Sequence, residues 1–118
     1  MTVGIVGSRG FANEDQVRAF VRTLPSHYAI VSGGAAGVDS WAEDEAKKRG
    51  ITVLVHLADW KTYGKRAGMI RNVLIVNDAD EVHAFWDGES RGTKHSIILA
   101  KRSKKPCTVH LPVPAVEP

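Results

Sequence analysis

Residues 30–39 constrain the fold most, because they join an apolar run, a glycine-rich turn and the start of a helical pattern. The apolar run at 28–31 predicts a buried strand, and periodic apolar residues over 38–49 predict a helix. Gly33, Gly34 and Gly37 lack a Cβ atom, so the backbone can turn sharply and a ligand can approach closely. The unpaired N–H groups that open a helix can bind phosphate or another anion. The alternative is that the glycines only form a tight strand-to-helix turn.

The rest of the chain repeats this alternation of strand and helix. Strand-like runs at 3–7, 28–32, 51–57, 81–85 and 107–111 are separated by helical patterns. The first helix follows Asn13 as its N-cap, and the later ones span 38–49, 65–76 and 93–102. Such alternation predicts an α/β fold with a doubly wound parallel sheet of five strands, in the order 3-2-1-4-5. We expect one domain over 1–111 and a Pro-rich tail over 112–118 that is extended or disordered.

Four loops share the carboxyl edge of this predicted sheet, where ligands of such folds bind. They span 7–10, 32–39, 58–64 and 86–93. The last repeats the plan of the glycine-rich turn, with two glycines and two hydroxyls leading into a helix. Neither glycine loop has the Gly-Lys-Ser/Thr ending of a Walker loop or the Gly-x-Gly-x-x-Gly pattern of dinucleotide-binding proteins. The sequence therefore argues against an ordinary NTPase and an ordinary dehydrogenase.

Composition adds weaker constraints. The net charge of +3, from 16 basic and 13 acidic residues, suits an anionic small ligand but does not by itself indicate nucleic acid. Cys107 is the only cysteine, which excludes an intrachain disulfide and favours an unreactive buried thiol. No apolar run approaches the roughly 20 residues of a membrane span, and the N-terminus lacks a signal pattern. We therefore expect a cytoplasmic protein that does not bind membranes.

Several side chains in the edge loops are candidates for ligand contact. Arg71 could clamp a phosphate through paired N–H donors, or it could be a surface helix arginine. Trp60, Tyr63 and Trp86 could stack on a base. Asp39 lies in the first turn of its helix, where a structural carboxylate is common and contact with a ribose hydroxyl is the more specific hypothesis.

Few residues are candidates for catalysis or metal binding. Asp87 and Glu89 are the loop carboxylates that could activate water, although solvated loop acids are more common than catalytic ones. The five histidines have no zinc-type spacing, so we predict no metal site, and we also predict no cofactor. His95 remains a candidate ligand contact. Basic residues at 101, 102, 104 and 105 are interpreted as solvated cations that complement a helix dipole.

Taken together, the motifs resemble the YspA/YpsA-related branch of the SLOG superfamily. The resemblance is carried by Gly7-Ser8-Arg9, Ser32-Gly33-Gly34-Ala35-Ala36-Gly37-Val38-Asp39, Ala58-Asp59-Trp60, Ala67-Gly68-Met69-Ile70-Arg71-Asn72, Ala84-Phe85-Trp86-Asp87-Gly88 and Gly92-Thr93. It covers nearly the whole chain. It implies a Rossmann-like fold that binds nucleotides or nucleotide-derived ligands, in a branch found in bacteria and phages.

Relatives within the superfamily include DprA, the cytokinin-activating phosphoribohydrolases and sensor domains of antiviral systems. The phosphoribohydrolases carry Pro-Gly-Gly-x-Gly-Thr-x-x-Glu and an arginine on the preceding helix, which Gly92-Thr93 and Arg71 resemble. Here Trp86-Asp87-Gly88 replaces the Pro-Gly-Gly start, and Ser96 stands at the glutamate position. These departures argue against the same N-glycosidic hydrolysis.

The leading hypothesis is thus a module that binds a nucleotide or a nucleotide-derived small molecule, with signal sensing as one use. The rivals are a hydrolase of nucleoside phosphates or N-glycosidic bonds, and a DprA-like nucleic-acid binder, against which the gathering of basic residues at one helix end argues weakly. We expect a homodimer. The predicted ligand-binding residues are Gly7, Ser8, Arg9, Ser32, Gly33, Gly34, Ala35, Gly37, Asp39, Trp60, Arg71, Asn72, Trp86, Asp87, Gly88, Ser90, Gly92 and Thr93.

Overall fold

The structure is a computed structural model that describes residues 1–114, with five strands and five α-helices in alternation. The strands are β1 (Thr2–Gly7), β2 (Ala29–Ser32), β3 (Thr52–Val55), β4 (Glu81–Phe85) and β5 (Cys107–His110). The helices are α1 (Glu14–Arg22), α2 (Val38–Lys48), α3 (Trp60–Tyr63), α4 (Ala67–Asp78) and α5 (Arg91–Arg102), with a 3₁₀ turn at Gly64–Arg66 between α3 and α4.

The five strands form one parallel sheet in the order β3-β2-β1-β4-β5, which confirms the predicted fold and strand order. In the central strand, Val3 pairs with Ile30 of β2 on one side and with Glu81 of β4 on the other. Strand β4 spans the residues that the sequence predicts. A central strand that is covered on both faces explains why residues 3–6 are all buried.

Two apolar cores cover the two faces of the sheet. Helices α1 and α2 pack on one face around Ile5, Val17 and Phe85. Helices α4 and α5 pack on the other face around Val6 and other buried residues. Because side chains alternate along a strand, neighbouring residues of β1 pack into opposite cores.

Local signals explain most helix boundaries. Asn13 caps α1 by accepting a hydrogen bond from the backbone N–H of Gln16 at 3.0 Å, as predicted. Gly37 precedes α2 at φ 85°, a conformation that favours glycine, and a Cβ atom on it would lie 3.0 Å from the Arg9 carbonyl oxygen. Lys105 donates to the Asn77 carbonyl at 2.8 Å, so one of the basic residues after α5 caps the carboxyl end of α4.

The structure corrects the prediction of a plain loop over 58–64, because this segment contains the short helix α3. Asp59 begins it by accepting from the Thr62 N–H at 3.0 Å. The first part of the predicted tail is also ordered against α1, since Gln16 accepts from the Val113 N–H at 2.8 Å. Residues 115–118 of that tail lie outside the described residues.

Two expectations concern the outer surface of the chain: that it does not bind membranes and that it forms a homodimer. Within residues 1–114, no helix combines the length and apolar character that crossing a membrane requires. Met69, Val73 and Leu74 of α4 are exposed, whereas Ile75 and Ile97 are buried in the core. The homodimer remains a prediction, in which these exposed residues would form the interface.

Candidate functional site

A cleft of about 340 Å³ opens at the carboxyl edge of the sheet, between the ends of β1 and β4 and the first turns of α2 and α5. This is the edge at which the sequence places its four polar loops. The cleft is lined by Val6, Gly7, Arg9, Gly10, Ala35, Asp39, Arg71, Asn72, Ile75, Asp87, Ser90, Gly92 and Thr93.

The glycine loop after β2 is bound by carboxylates of its own helix. Asp39 Oδ2 accepts from the backbone N–H groups of Gly33 and Ala35, each at 3.2 Å. Glu43 Oε2 accepts from the Gly34 N–H at 3.0 Å and from the Ser32 hydroxyl. These three loop N–H groups are therefore occupied, whereas the N–H groups of Val38 and Asp39, which open α2, have no acceptor within residues 1–114.

Asp39 is a buried acid that lines the cleft. Its side chain enters the space behind the glycine loop, and the residue is only 6% exposed. Burial raises the pKa of Asp39 to about 6, against the lowering effect of the Ala35 N–H and of the Arg71 charge. The carboxyl group therefore changes charge close to physiological pH.

Arg71 of α4 lies directly over Gly33. A Cβ atom on Gly33 would lie 2.9 Å from Arg71 Cδ and 3.0 Å from Asp39 Oδ2, so only glycine leaves room for this approach. Arg71 Nη1 donates to the Gly33 carbonyl at a long 3.4 Å. Its Nε is buried and has no hydrogen-bond partner among the described residues. This arginine N–H therefore lacks an acceptor, and a ligand could supply one.

The loop after β4 is organised by hydrogen bonds within itself. Asp87 Oδ1 accepts from the N–H groups of Glu89 and Ser90, each at 2.8 Å, and these bonds lower the pKa of Asp87. Ser90 then caps α5 by accepting from the Thr93 N–H at 3.4 Å. Within residues 1–114, the N–H groups of Arg91 and Gly92 donate to no protein acceptor. The first turn of α5 thus offers two unpaired donors, of which that of Gly92 belongs to the cleft lining.

Buried hydroxyls tie this second loop to the end of β1. Ser8 Oγ lies 3.3 Å from Thr93 Oγ1 and accepts from the Asp87 N–H at 3.2 Å. Thr93 Oγ1 also donates to Ser90 Oγ at 3.2 Å. Ser8 and Thr93 are both buried. These hydroxyls therefore fix the cleft wall, and Ser8 itself does not line the cleft.

The candidate catalytic carboxylates are poorly placed for that role. Asp87 uses its Oδ1 to hold the loop, and its lowered pKa makes it a weak base. Glu89 is exposed and does not line the cleft. Ser96 is buried and donates to the Gly92 carbonyl at 3.4 Å. The cleft acid with a pKa near 6 is Asp39, which the sequence indicates only as a structural or binding residue.

A second groove of about 360 Å³ adjoins the cleft between α3, α4 and the start of α5. Arg71, Asn72 and Gly92 line both spaces. Asn72 bridges the two helices, since its Nδ2 lies 3.3 Å from the Gly92 carbonyl and 3.2 Å from His95 Nδ1. Trp60 and His95 lie in this groove, away from the main cleft.

The structure brings ten of the predicted ligand-binding residues to the cleft. These are Gly7, Arg9, Ala35, Asp39, Arg71, Asn72, Asp87, Ser90, Gly92 and Thr93. Trp86 is not among them, because its indole Nε1 donates to the Ser90 carbonyl at 3.0 Å and the ring packs on the core. The rest lie outside the cleft lining, namely Ser8, Ser32, Gly33, Gly34, Gly37, Trp60 and Gly88.

Sequence reasoning missed Gly10 and Glu43. Gly10 completes the cleft wall beside Arg9. Glu43 stands four residues after Asp39, and this spacing puts both carboxylates on one helix face. Over residues 1–114, no group of three or more His, Cys, Asp or Glu side chains is arranged to hold a metal ion.

Comparison with known proteins agrees with this architecture. A sequence model of the YspA, cpYpsA-related SLOG family matches residues 1–63. The Gene 61 protein of Mycobacterium phage D29 is 38% identical over 112 residues, covering 86% of this chain and 90% of the phage protein.

A solved structure shares the fold. DNA processing protein A from Helicobacter pylori, whose structure was studied for its single-stranded DNA binding mode, superposes with a TM-score of 0.71 at 23% identity. The match covers 92% of this chain and 64% of that protein. The likeness concerns the fold alone, and the chain spans less than two thirds of that protein's length.

Proposed function

The chain belongs to the YspA, cpYpsA-related SLOG family, and we propose that it binds a nucleotide or nucleotide-derived small molecule in the cleft. The observation that carries the proposal is Arg71, whose side chain lines the cleft and whose buried Nε has no partner within residues 1–114. An acceptor oxygen of a ligand phosphate would satisfy this donor with a charge-assisted hydrogen bond.

The phosphate belongs on the wall formed by Arg71 and the first turn of α5. The N–H groups of Arg91 and Gly92 have no acceptor there in the described part of the chain, and the helix dipole favours an anion. Arg9 adds a second cation to the cleft lining. The glycine loop after β2 is the less favourable wall for a phosphate, because Asp39 and Glu43 occupy the N–H groups of Gly33, Gly34 and Ala35 and place carboxylates there.

The opposite wall favours a part of the ligand that donates hydrogen bonds. Asp39 Oδ2 accepts from two backbone groups, and its other oxygen leaves capacity for a ligand donor. A sugar hydroxyl is the nucleotide group that fits such a carboxylate. The cleft would thus hold the sugar between Asp39 and Arg71, with the phosphate toward α5.

Binding without turnover is the form of this function that the side chains favour, and such a module would suit signal sensing. The hydrolase alternative is disfavoured, because neither carboxylate that was a candidate for activating water is suitably placed. Asp87 accepts hydrogen bonds that hold its own loop, and Glu89 lies outside the cleft. Asp39 is the acid that such chemistry would use. A nucleic-acid partner, such as the single-stranded DNA of the Helicobacter pylori protein, would need more than this cleft and is a separate proposal.

The test combines ligand identification with one matched pair of variants. Mass spectrometry of small molecules released from the purified protein would name the ligand class, and calorimetry would measure affinity for nucleoside phosphates. Arg71→Ala should weaken binding by about 1.5–3 kcal/mol, the range for a hydrogen bond to a charged group. Arg102→Ala removes an exposed arginine from the far end of α5 and should leave the affinity unchanged.

Two results would contradict the proposal. One is equal affinity in Arg71→Ala and Arg102→Ala, which would place the ligand outside the cleft. The other is steady release of base from a nucleotide that stops in Asp39→Asn, which would make the protein a hydrolase rather than a binder.

A further inference from the structure

The helical layer formed by α3, α4 and α5 is strongly basic. Residues 60–78 and 91–102, which hold these helices and the turn between α3 and α4, contain eight of the chain's 16 Lys and Arg residues. The one acid of these helices is Asp78, the last residue of α4, which is bonded to His56. The α1–α2 layer differs, because there Arg18 and Arg22 are paired with acids such as Glu45. A layer of cations with so few acids creates a field that attracts polyanions.

The groove beside the cleft lies in this layer. Its lining includes Lys65 and Arg91, both exposed, together with Arg71 and His95. Lys94 is exposed on the next turn of α5. Cations therefore flank the groove on both the α3–α4 side and the α5 side.

One exposed aromatic ring lies in the same groove, and a second lies on the same short helix. Trp60 lines the groove and is 55% exposed, and Tyr63 of the same short helix is 50% exposed. Trp60 rests over Gly68, since a Cβ atom there would come within 3.4 Å of its ring. Trp41 and Trp86 are instead partly buried against the cores. One side of the Trp60 ring thus packs on Gly68, and much of the rest of the ring is exposed.

We propose that this groove is a docking surface for a single-stranded polynucleotide, with phosphates at Lys65 and Arg91 and an unpaired base on Trp60. Groups of this kind recur in sequence-tolerant single-strand binding, where cations follow the backbone and aromatic rings stack on bases. A duplex keeps its bases stacked inside and could not use Trp60. The surface adjoins the small-ligand site and shares Arg71, Asn72 and Gly92 with it, but Trp60 and Lys65 do not line the cleft.

The experiment measures fluorescence anisotropy of labelled oligothymidylate, oligouridylate and duplex DNA of about 16 nucleotides, a length at the upper end of single-module site sizes. With about two phosphates contacted, at Lys65 and Arg91, log Kd should change with log salt at a slope of about 1.4 in magnitude, since each contact contributes about 0.7 for single strands. The single strands should bind at least about tenfold more tightly than the duplex. The oligothymidylate and oligouridylate arms show whether DNA or RNA is preferred.

Variants locate the contact. Lys65→Glu should weaken single-strand binding about tenfold or more and reduce the salt slope by about one contact. Lys47→Glu makes the same charge change on an exposed lysine of α2 and should change the affinity less than about twofold. Trp60→Ala should cost about tenfold or more, whereas Trp60→Phe keeps a ring and most of the affinity.

The outcomes separate this inference from the small-ligand site. Lys65→Glu should leave nucleotide affinity unchanged, so loss of oligonucleotide binding alone locates the polynucleotide in the groove. Oligonucleotide binding in a protein that binds no nucleotide would refute the small-ligand function and leave this inference intact. Three results would overturn the inference: no single-strand binding at about 50 mM salt, equal weakening by Lys47→Glu, or duplex binding as tight as single-strand binding.

Discussion

The loop after β2 and the loop after β4 both join a buried strand to a helix, but their polar groups are arranged differently. In the first, Asp39 and Glu43 reach back from the helix and accept from the loop's N–H groups. In the second, Asp87 and Ser90 lie in the loop and at the helix cap, and the next two N–H groups find no acceptor within residues 1–114. The first loop presents negative charge to the cleft, and the second presents donors.

This difference shows that a glycine-rich strand-to-helix turn does not by itself bind anions. Helix-opening N–H groups attract an anion, but carboxylates from the following helical turns can occupy the donors of the turn and place negative charge beside them. The side chains around the turn therefore decide which wall of the cleft can receive a phosphate.

The largest effect concerns the ionisation of Asp39 in the first loop. Its folded pKa of about 6 lies above the ordinary value of 3.8, so the folded state binds the extra proton between these two values. Stability should therefore fall as pH rises through this window, by about 3 kcal/mol at 1.36 kcal/mol per unit. Asp39→Asn removes this cost, so its stability relative to the wild type should rise from pH 4 to pH 7.

Urea denaturation over this pH range measures the effect. Asp44→Asn is the matched control on the same helix, because bonds from Arg18 and Lys48 lower the pKa of Asp44. Its contribution has the opposite sign: the stability is present above the unfolded pKa and is lost as pH falls through the folded one. A constant difference between Asp39→Asn and the wild type would show that Asp39 is not desolvated.

Much of the fold could be predicted from the sequence, because it depends on repeated signals. Five β-branched runs alternating with helical patterns define the parallel sheet, and the most apolar run, at 3–6, is its central strand. The short helix α3 was missed because Trp60–Tyr63 is too short to show helical periodicity. Its one signal is Asp59, three residues before Thr62, where it caps the turn.

The site could be predicted only in part, because hydrogen bonds between side chains and loops leave little trace in the sequence. The position of the cleft follows from the topology. The occupation of the first loop depends on Asp39 and Glu43, whose spacing of four residues was the available signal. Trp86 is an aromatic residue in an edge loop, which predicts stacking on a base, but its indole N–H donates to the Ser90 carbonyl. Only the folded loop shows this hydrogen bond.

The next prediction concerns the hydroxyl cluster that fixes the second loop. Ser8→Ala should destabilise the protein by about 1–3 kcal/mol, because it removes the acceptor of the Asp87 N–H and one of the two partners of the buried Thr93 hydroxyl. Ser40→Ala removes an exposed hydroxyl bonded to the Gly37 carbonyl at 3.2 Å and should change stability by less than about 0.5 kcal/mol. Thermal unfolding of both variants would check the prediction, and equal effects would refute a structural role for Ser8.

The smallest effect distinguishes the glycines of the two loops. Gly34 in the first loop has φ +66°, and a Cβ there would meet Leu57 at 2.6 Å, so Gly34→Ala should cost about 1–2 kcal/mol of stability. Gly92 in the second loop has no such φ and no atom within 4 Å of an added Cβ. Gly92→Ala should therefore change stability by less than about 0.5 kcal/mol.

Gly92→Ala should nevertheless affect the ligand, because Gly92 lines the cleft. Its added methyl group should weaken nucleotide binding by reducing access to the N–H groups that open α5, which donate to no acceptor in the described part of the chain. Calorimetry and urea denaturation on the same samples would separate the loss of affinity from any loss of stability. A Gly92→Ala protein that keeps both its stability and its full affinity would show that the ligand does not approach the second loop.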